Sequence, residues 1–299
     1  MKNKIIGLSV LFVVYALATV IGGLLFVVLK NAGMNDYLAV LIADVAATVF
    51  VWLMGMVFKT ASMYDPYWSL QTLAIYLALL IYHNNWNLGT ILLLVVIVIY
   101  SARLTMNFII GFDSLSYVDW RYKMLASKSG KLYPIVNLLG ICMFPTLVVY
   151  LCSLPTIVYA NIGSFTIFDI IGLSIVMLGV LLEFISDIQM KKFIKNRSSR
   201  SEVINIGLWK YSRHPNYLGE ILIWFGVASV LIITHYVYWY LFIGAIINLL
   251  MFLFISIPME EKHLKEYKDN YDVYLKTTSV LFILPNKKEK EYEDQSDSI

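Results

Sequence analysis

Long apolar runs, separated by short polar segments, make up most of this chain. The first run, residues 5–29, contains 25 residues and no charge, and a helix of about 20 apolar residues is enough to cross a bilayer. Seven more runs follow, and the one at 69–83 is the shortest. The pattern therefore predicts an all-α, polytopic membrane helical bundle of about eight transmembrane helices. The predicted spans are 5–29, 38–58, 69–83, 87–109, 133–160, 163–188, 217–234 and 236–257.

The distribution of basic residues predicts the orientation of these spans. If the N-terminus lies inside, Lys30 is the only one of the 23 Lys and Arg residues that falls on an outward-facing segment. Such an asymmetry is what the positive-inside rule describes, so both termini are expected in the cytoplasm. The net charge of +3 reflects this asymmetry and does not indicate nucleic-acid binding.

The composition agrees with an integral, multi-pass membrane protein in contact with membrane lipids. Hydrophobic residues make up 60% of the chain and charged residues 14%, and the mean hydropathy is +0.73. We expect one transmembrane domain over 1–285, in which N-terminal helices (5–59) precede a core (60–285). A disordered cytoplasmic tail is expected over 286–299. The membrane is the plasma membrane if the source is bacterial and the endoplasmic reticulum if it is eukaryotic.

The cysteines and histidines do not predict a metal site. Cys142 and Cys152 fall in the same predicted span, so neither a disulfide framework nor a thiolate site is expected. The four histidines are scattered along the chain and lack the short spacing that zinc ligands show.

The most informative polar segment is Tyr-Ser-Arg-His-Pro-Asn-Tyr-Leu-Gly-Glu, which runs directly into the seventh apolar span. Proline is favoured at the first position of a helix, so a helix is expected to begin near Pro215. Asn216 and Glu220 would then share one face, four residues apart. Backbone N–H groups beside Arg213 and His214 would suit an anion. A basic interfacial anchor is the alternative interpretation, although it needs no Asn and Glu.

Ionisable residues inside apolar spans are functional candidates by default. In the sixth span, Glu183, Asp187 and Lys191 are four residues apart and share a face. They predict either a polar ligand site or a salt-bridge ladder at the end of a helix. In the fourth span, Tyr100 and Arg103 lie on one face, where Arg103 either contacts a phosphate or extends to the interface.

Three further segments combine charge with aromatic rings near predicted span ends. Asp65 precedes the third span, where it is either an active-site carboxylate or a helix N-cap. Asp119 and Arg121 lie in an aromatic cytoplasmic loop, which either binds a ring and a phosphate or forms a membrane belt. His263 and Tyr267 follow the last span one turn apart, where an amphipathic interfacial helix is the alternative.

These segments, in this order, resemble the steroid 5α-reductase family, and most closely its bacterial relatives. The resemblance covers roughly 60–285 and leaves the first helix as an addition. Its most specific part is Ser186-Asp187, followed 29 residues later by Asn216 and then by Glu220 in Asn-Tyr-Leu-Gly-Glu. Supporting parts are Tyr100-x-x-Arg103, Asp119-Trp-Arg-Tyr122 and the closing Tyr267, Tyr274 and Leu284-Pro285.

The resemblance implies an NADPH-dependent reductase whose site opens to the cytoplasm. By the family pattern, Asp187, Asn216 and Tyr267 contact the cofactor, Arg103 lies near its phosphates, and Glu220 holds the nicotinamide carboxamide. The remaining residues assigned to the cofactor are Asp119, Arg121, Arg213, His214, Tyr217 and His263.

The resemblance also implies that Asp65 and Tyr100 bind the carbonyl of a steroid-like or other lipid substrate and catalyse reduction of its conjugated double bond. The chain departs from the family at two positions. Asp65 stands where the steroid enzymes have Glu, and Glu183 stands where they have Asn. A shorter acid changes the reach to a carbonyl, which puts steroid specificity in question.

Two other classes compete with the reductase interpretation. The stretch from Arg213 to Gly219, together with Glu260-Glu261, Tyr271 and Tyr274, is similar to isoprenylcysteine and phospholipid methyltransferases, which use S-adenosylmethionine. The two families share this C-terminal architecture, so the N-terminal half has to separate them. A transporter or lipid-binding scaffold would predict paired broken helices in two related halves, and the sequence shows no such repeat.

Overall fold

The structure is a computed structural model, and it describes residues 2–286. Within this range the chain forms thirteen α-helices and no strand, and the single isolated bridge joins Ser212 to Ser279. The all-α prediction is therefore confirmed. The helices are α1 (Lys2–Asn31), α2 (Asp36–Val57), α3 (Tyr67–His83), α4 (Leu88–Gly111), α5 (Trp120–Ser129), α6 (Tyr133–Val136), α7 (Phe144–Ile162), α8 (Asp169–Asn196), α9 (Leu208–Tyr211), α10 (Pro215–Ile232), α11 (Ile243–Met251), α12 (Ile257–Lys265) and α13 (Tyr271–Thr277).

Seven helical stretches of the described chain are long and apolar enough to cross a membrane, which confirms a polytopic membrane bundle. The remaining predicted span, 69–83, forms as α3. Its 17 residues extend only about 25 Å, which is short of the roughly 30 Å hydrocarbon core. The predicted disordered tail lies outside the described residues, apart from Asn286. The seven stretches are Lys2–Asn31, Asp36–Val57, Leu88–Gly111, Trp120–Ile162, Asp169–Asn196, Pro215–Ile232 and Tyr236–Lys265.

The described residues divide into two compact units. Residues 2–170 and 227–244 belong to unit 1, and residues 171–226 and 245–286 belong to unit 2.

Several polar side chains that are buried in unit 1 form hydrogen-bonded groups, as an apolar interior favours. The Thr146 hydroxyl lies 2.9 Å from the Thr48 hydroxyl and 2.7 Å from the Tyr64 hydroxyl. Asp169, which is fully buried, accepts a 2.7 Å hydrogen bond from Tyr159 and a 3.0 Å bond from the backbone N–H of Thr166. Asp169 thus closes the turn before α8 rather than lining a site.

An ion pair joins the first two helices of unit 1 at the loop between them. Lys30, the basic residue that the orientation rule leaves outside, lies 2.6 Å from Asp36. His83, at the end of α3, lies 3.0 Å from the other oxygen of the same carboxylate. The position of Lys30 is thereby explained by a local ion pair.

Unit 2 has a smaller apolar core, formed by Leu218, Ile221, Ile257 and Leu281. Two of these residues lie on α10, one begins α12, and one lies in the segment after α13. The core therefore joins α10 to the C-terminal segment, and this packing positions the polar residues described next.

Candidate functional site

The segment before α10 is attached to the C-terminal segment by its backbone. Ser212 is extended, with φ −139° and ψ 138°, and it pairs with Ser279 in a parallel bridge. The Arg213 N–H donates to the Ser279 carbonyl at 2.8 Å, and the Ser212 hydroxyl donates to the Leu281 carbonyl at 2.7 Å. The start of α10 at Pro215, expected from the sequence, is thereby held in place.

Arg213 uses its guanidinium to join three parts of unit 2. Its Nε lies 2.9 Å from Glu261 Oε1 on α12, and the Arg213 side chain is 8% exposed. A terminal nitrogen also donates to the carbonyls of Leu275 and Thr278. A buried arginine with these contacts holds three segments of unit 2 together. The assignment of Arg213 to the cofactor, made from the sequence, stays a prediction.

His214 shares the same carboxylate. Its Nε2 lies 3.1 Å from Glu261 Oε1, and its ring stacks on Tyr217 with centroids 5.2 Å apart and planes at 5°. Tyr217 in turn packs on Phe252 at 4.5 Å. One carboxylate oxygen therefore orients both basic residues at the N-terminal end of α10.

The two polar residues predicted to share a face of α10 are both placed to accept hydrogen bonds. Glu220 is 4% exposed, and its Oε1 accepts a 2.7 Å bond from Trp224 Nε1. Asn216 lies one turn earlier, and its Oδ1 is buried with no hydrogen-bond partner among residues 2–286. A buried acceptor left without a donor is destabilising, which makes this oxygen a place where a ligand N–H would bind.

Helix α8 approaches α10 closely at Gly219. A Cβ built on Gly219 would lie 2.5 Å from Glu183 Cγ and 2.6 Å from the Gly179 carbonyl oxygen. Only glycine permits this approach. Glu183 is 4% exposed, and Asp187 follows one turn later on α8, where it is half-buried. The structure thus brings the helix that carries Asp187 against the helix that carries Asn216 and Glu220.

This contact gives a stability prediction. We expect Gly219→Ala to lower the free energy of unfolding by about 1–3 kcal/mol, the usual effect of overpacking, because the added methyl group would meet backbone on α8. The measurement is chemical denaturation in micelles, followed by tryptophan fluorescence. Gly140→Ala is the control, since a Cβ there meets nothing within 4 Å. Equal losses in both variants would contradict the close packing.

His263 and Tyr267 form a separate cationic cluster in unit 2. Their rings lie 5.3 Å apart. The guanidinium of Arg200 lies 5.2 Å and the ammonium of Lys268 lies 5.6 Å from the Tyr267 ring centroid. Burial, and then the nearby charges of Arg197 and Arg200, lower the pKa of Lys268. The cluster is therefore a region of concentrated positive charge.

In unit 1, Asp65 is paired with a phenol. The Tyr122 hydroxyl donates to Asp65 Oδ1, and the Asp65 backbone N–H donates to the Ser62 carbonyl at 3.3 Å. Burial raises the pKa of Asp65 from 3.8 to about 6, against the lowering effect of the Tyr122 hydrogen bond. Asp65 therefore lies before α3 as a half-buried carboxyl, and it is not the N-cap, because that position is occupied by Pro66 and no side chain caps the helix.

The other unit 1 residues that the sequence assigns to a site differ from Asp65 in their exposure and contacts. Tyr100 is 2% exposed on α4, and Arg103 is half-buried one turn later. Asp119 caps α5 by accepting from the Arg121 backbone N–H at 2.9 Å, and it binds the Arg121 guanidinium through both oxygens, at 2.8 and 3.1 Å. The Asp119–Arg121 pair thus has a local structural role.

Two partners were not assigned from the sequence. In the sequence, Glu261 belongs to the methyltransferase-like pattern, and Tyr122 belongs to the Asp119-Trp-Arg-Tyr122 part of the reductase resemblance. Each joins residues far apart in the chain, so no local spacing could have identified it. The sequence does contain one indication for Glu261, the acidic pair Glu260-Glu261 after Pro258. A buried arginine and histidine need an acidic partner, and this pair could supply it.

Among the described residues, no group of three or more His, Cys, Asp or Glu side chains is arranged to hold a metal ion. Cys142 and Cys152 are buried, and neither forms a disulfide.

The fold and these residues first define a class, an integral multi-pass helical membrane protein with a buried polar cluster at the start of one helix. Residues 51–278 match the family described as "Protein of unknown function (DUF1295)", and the chain belongs to that family.

The chain is also similar to a fungal protein, "Uncharacterized protein C594.04c" of Schizosaccharomyces pombe. The two are 26% identical over 213 residues, and the match covers 62% of this chain. It covers 60% of the relative, so the chain spans less than two thirds of the length of that curated protein. No solved structure matches the chain.

Proposed function

We propose that this protein is a membrane-embedded, NADPH-dependent reductase of a carbon–carbon double bond conjugated to a carbonyl in a lipid-like substrate. The observation that carries the proposal is the pair of buried acceptors on α10, Glu220 and Asn216. A carboxamide NH₂ group has two N–H donors, and the nicotinamide ring bears such a group. The amide oxygen of Asn216 fits a donor of this kind.

The resemblance to steroid 5α-reductases supports the same assignment. It covers roughly residues 60–285, and the family match covers nearly the same part of the chain, residues 51–278. Asn216 and Glu220 would hold the nicotinamide end, and the cations around Tyr267 would suit the phosphates. When bound, NADPH would supply the hydride. The inward bias of Lys and Arg supports a site that opens to the cytoplasm.

Asp65 supplies the acid in this proposal. Because its pKa is raised to about 6, the carboxyl keeps its proton at mildly acidic pH. A neutral carboxyl hydrogen-bonds the carbonyl oxygen on which negative charge develops during reduction, and it can transfer a proton. Tyr122 holds one oxygen of this carboxyl in place. Tyr100 is assigned to the same carbonyl by the resemblance.

The methyltransferase is the second candidate, and one observation favours it. The structure brings together the residues of the methyltransferase-like pattern, with Glu261 contacting both Arg213 and His214 and with Tyr271 and Tyr274 5.9 Å apart. These contacts are equally compatible with a reductase, because the two families share this half. The buried acid at Asp65 has a role in reduction and none in methyl transfer.

Ligand-dependent thermal stability separates the two candidates. The purified protein in lipid nanodiscs is heated with NADPH, NADH or S-adenosylmethionine. Saturating NADPH, at 100 times its Kd, should stabilise the fold by about 2.7 kcal/mol. NADPH oxidation on addition of a conjugated enone lipid then tests turnover. Stabilisation by S-adenosylmethionine alone would overturn the reductase proposal.

Glu220 gives a prediction for cofactor affinity. We expect Glu220→Ala to weaken NADPH binding by about 1–3 kcal/mol, because a buried hydrogen-bonded partner of the ligand is lost. Titration with NADPH in nanodiscs measures the Kd. Asp113→Ala is the control, since Asp113 is exposed and lies in unit 1, so it should leave the Kd unchanged. An unchanged Kd for Glu220→Ala would remove this residue from the site.

A further inference from the structure

Unit 1 contains a cavity of about 450 Å³ between α1, α2 and α3. This volume is within the range of small-molecule sites. Its wall is apolar and rich in small residues. The family match begins only at residue 51, so α1 and most of α2 are outside it. Wall residues include Ala16, Gly23, Ala43, Ala47, Leu70 and Ala74.

Asp44 and Gln71 interrupt this apolar wall, together with the hydroxyl-bearing Tyr15, Thr19 and Tyr67. Gln71 is 2% exposed. Its amide nitrogen donates to Asp44 Oδ2 at 2.5 Å and to the Thr146 carbonyl at 3.1 Å, so both N–H groups are used. Its amide oxygen has no hydrogen-bond partner in the described part of the chain. The cavity therefore has one buried acceptor that lacks a donor.

We propose that this cavity binds a hydroxyl-bearing lipid, whose O–H donates to the Gln71 amide oxygen and whose hydrocarbon part fills the apolar wall. A buried acceptor without a donor favours a ligand that brings one. Phosphate and carboxylate headgroups are disfavoured, because a charged group in an apolar wall needs a counter-charge and no basic side chain among residues 2–286 lines this cavity.

The rim of the cavity indicates that its ligand enters from the bilayer. Phe12 and Ile81, which line the cavity, are 74% and 64% exposed. Both lie on apolar helices, where such exposure is expected to face lipid. The binding is independent of the proposed reduction, and its test needs neither NADPH nor turnover.

The test is photolabelling of the full chain in nanodiscs with a dodecanol that carries a diazirine at its chain end. The matched probe is the methyl ether of the same compound, which lacks the O–H donor. We expect saturable adducts of the alcohol on α1 and α3, mapped by peptide mass spectrometry. The ether should label about fivefold to tenfold more weakly, which corresponds to one hydrogen bond. Equal, non-saturable labelling by both probes would mean ordinary surrounding lipid and would overturn the proposal.

A cavity-filling variant tests the same proposal without altering the polar pair. Gly23 lines the cavity, and a Cβ there meets nothing within 4 Å, so Gly23→Leu should occupy cavity space. We expect it to abolish saturable labelling by the alcohol. Gly140→Leu is the control, because its Cβ also meets nothing within 4 Å and it does not line the cavity; it should label as the wild type does. Unchanged labelling of Gly23→Leu would refute this site.

Discussion

Replacing Asp65 with asparagine should reduce turnover of a conjugated enone lipid by about 10²–10⁴-fold, the usual contribution of a general acid. Asparagine has nearly the same shape and still accepts from Tyr122, but it has no acidic proton to give to the carbonyl oxygen. Affinity for NADPH should not change, because the acceptors assigned to the cofactor lie on α10. The measurement is steady-state NADPH oxidation together with a titration of the Kd.

The pH dependence of wild-type turnover is a second test of the role of Asp65 as the acid. Burial raises the pKa of Asp65 to about 6, so the protonated, donating form decreases as pH rises through about 6. Turnover of the wild type should therefore fall above that pH, whereas the residual rate of Asp65→Asn should not show this fall. The exposed Asp113→Asn is the control and should keep the wild-type profile. An Asp65→Asn enzyme with a normal rate would exclude the acid role.

Asp65 also links stability to pH, and the sign follows from the direction of its shift. A carboxyl whose pKa is higher in the folded state than in the unfolded state stabilises the fold when it is protonated. Its contribution is fully present below pH 3.8 and is lost as pH rises through about 6. Asp65→Asn should remove this component from a pH series of unfolding free energies.

The apolar helices of this protein could be predicted from the sequence because each follows from local pattern, whereas that pattern does not predict the short helices α5, α9 and α13. Each of the eight apolar runs lies largely in a helical stretch of the structure, and the expected start at Pro215 is the observed start of α10. The length of α3 shows the limit, because hydropathy locates a run without deciding whether 17 residues cross a bilayer. The break before α7, a π-helical stretch at Asn137–Met143, left no signal in the hydropathy.

The sequence predicts the site only where its residues lie close together along the chain. Asn216 and Glu220 share a face because they are four residues apart, which is a property of any α-helix. The partner of Asp65 is 57 residues away, and the second contact of Gln71 is 75 residues away. Such pairs depend on how helices pack, and one sequence does not contain that information.

The close approach of α8 and α10 illustrates the same distinction. Gly219 is visible in the sequence, but a glycine in a helix has several explanations. Only the position of the Gly179 carbonyl, 2.6 Å from a built Cβ, shows that Gly219 admits the backbone of another helix. The predicted convergence of Asp187 with Asn216 and Glu220 therefore depends on a small residue that the polar pattern did not identify.

Replacing Arg213 with alanine should be the most destabilising single change in unit 2, by about 3–5 kcal/mol. The change leaves the Glu261 carboxylate without its guanidinium and leaves the Leu275 carbonyl without a donor. The Arg213 side chain is 8% exposed and the Glu261 side chain is 17% exposed, so the remaining carboxylate has limited access to water. Chemical denaturation in micelles, followed by tryptophan fluorescence, measures the loss.

Two comparisons show whether this effect comes from the buried network. Lys265→Ala removes one partner of the pair with Asp272, whose side chains are 48% and 73% exposed, and it should change stability by less than about 1 kcal/mol. Arg213→Lys keeps the charge but loses the planar fork, so it should restore only part of the lost stability. If Arg213→Ala and Lys265→Ala lower the free energy of unfolding equally, Arg213 does not hold the C-terminal segment against the start of α10. Apolar packing must then position the acceptors on that helix.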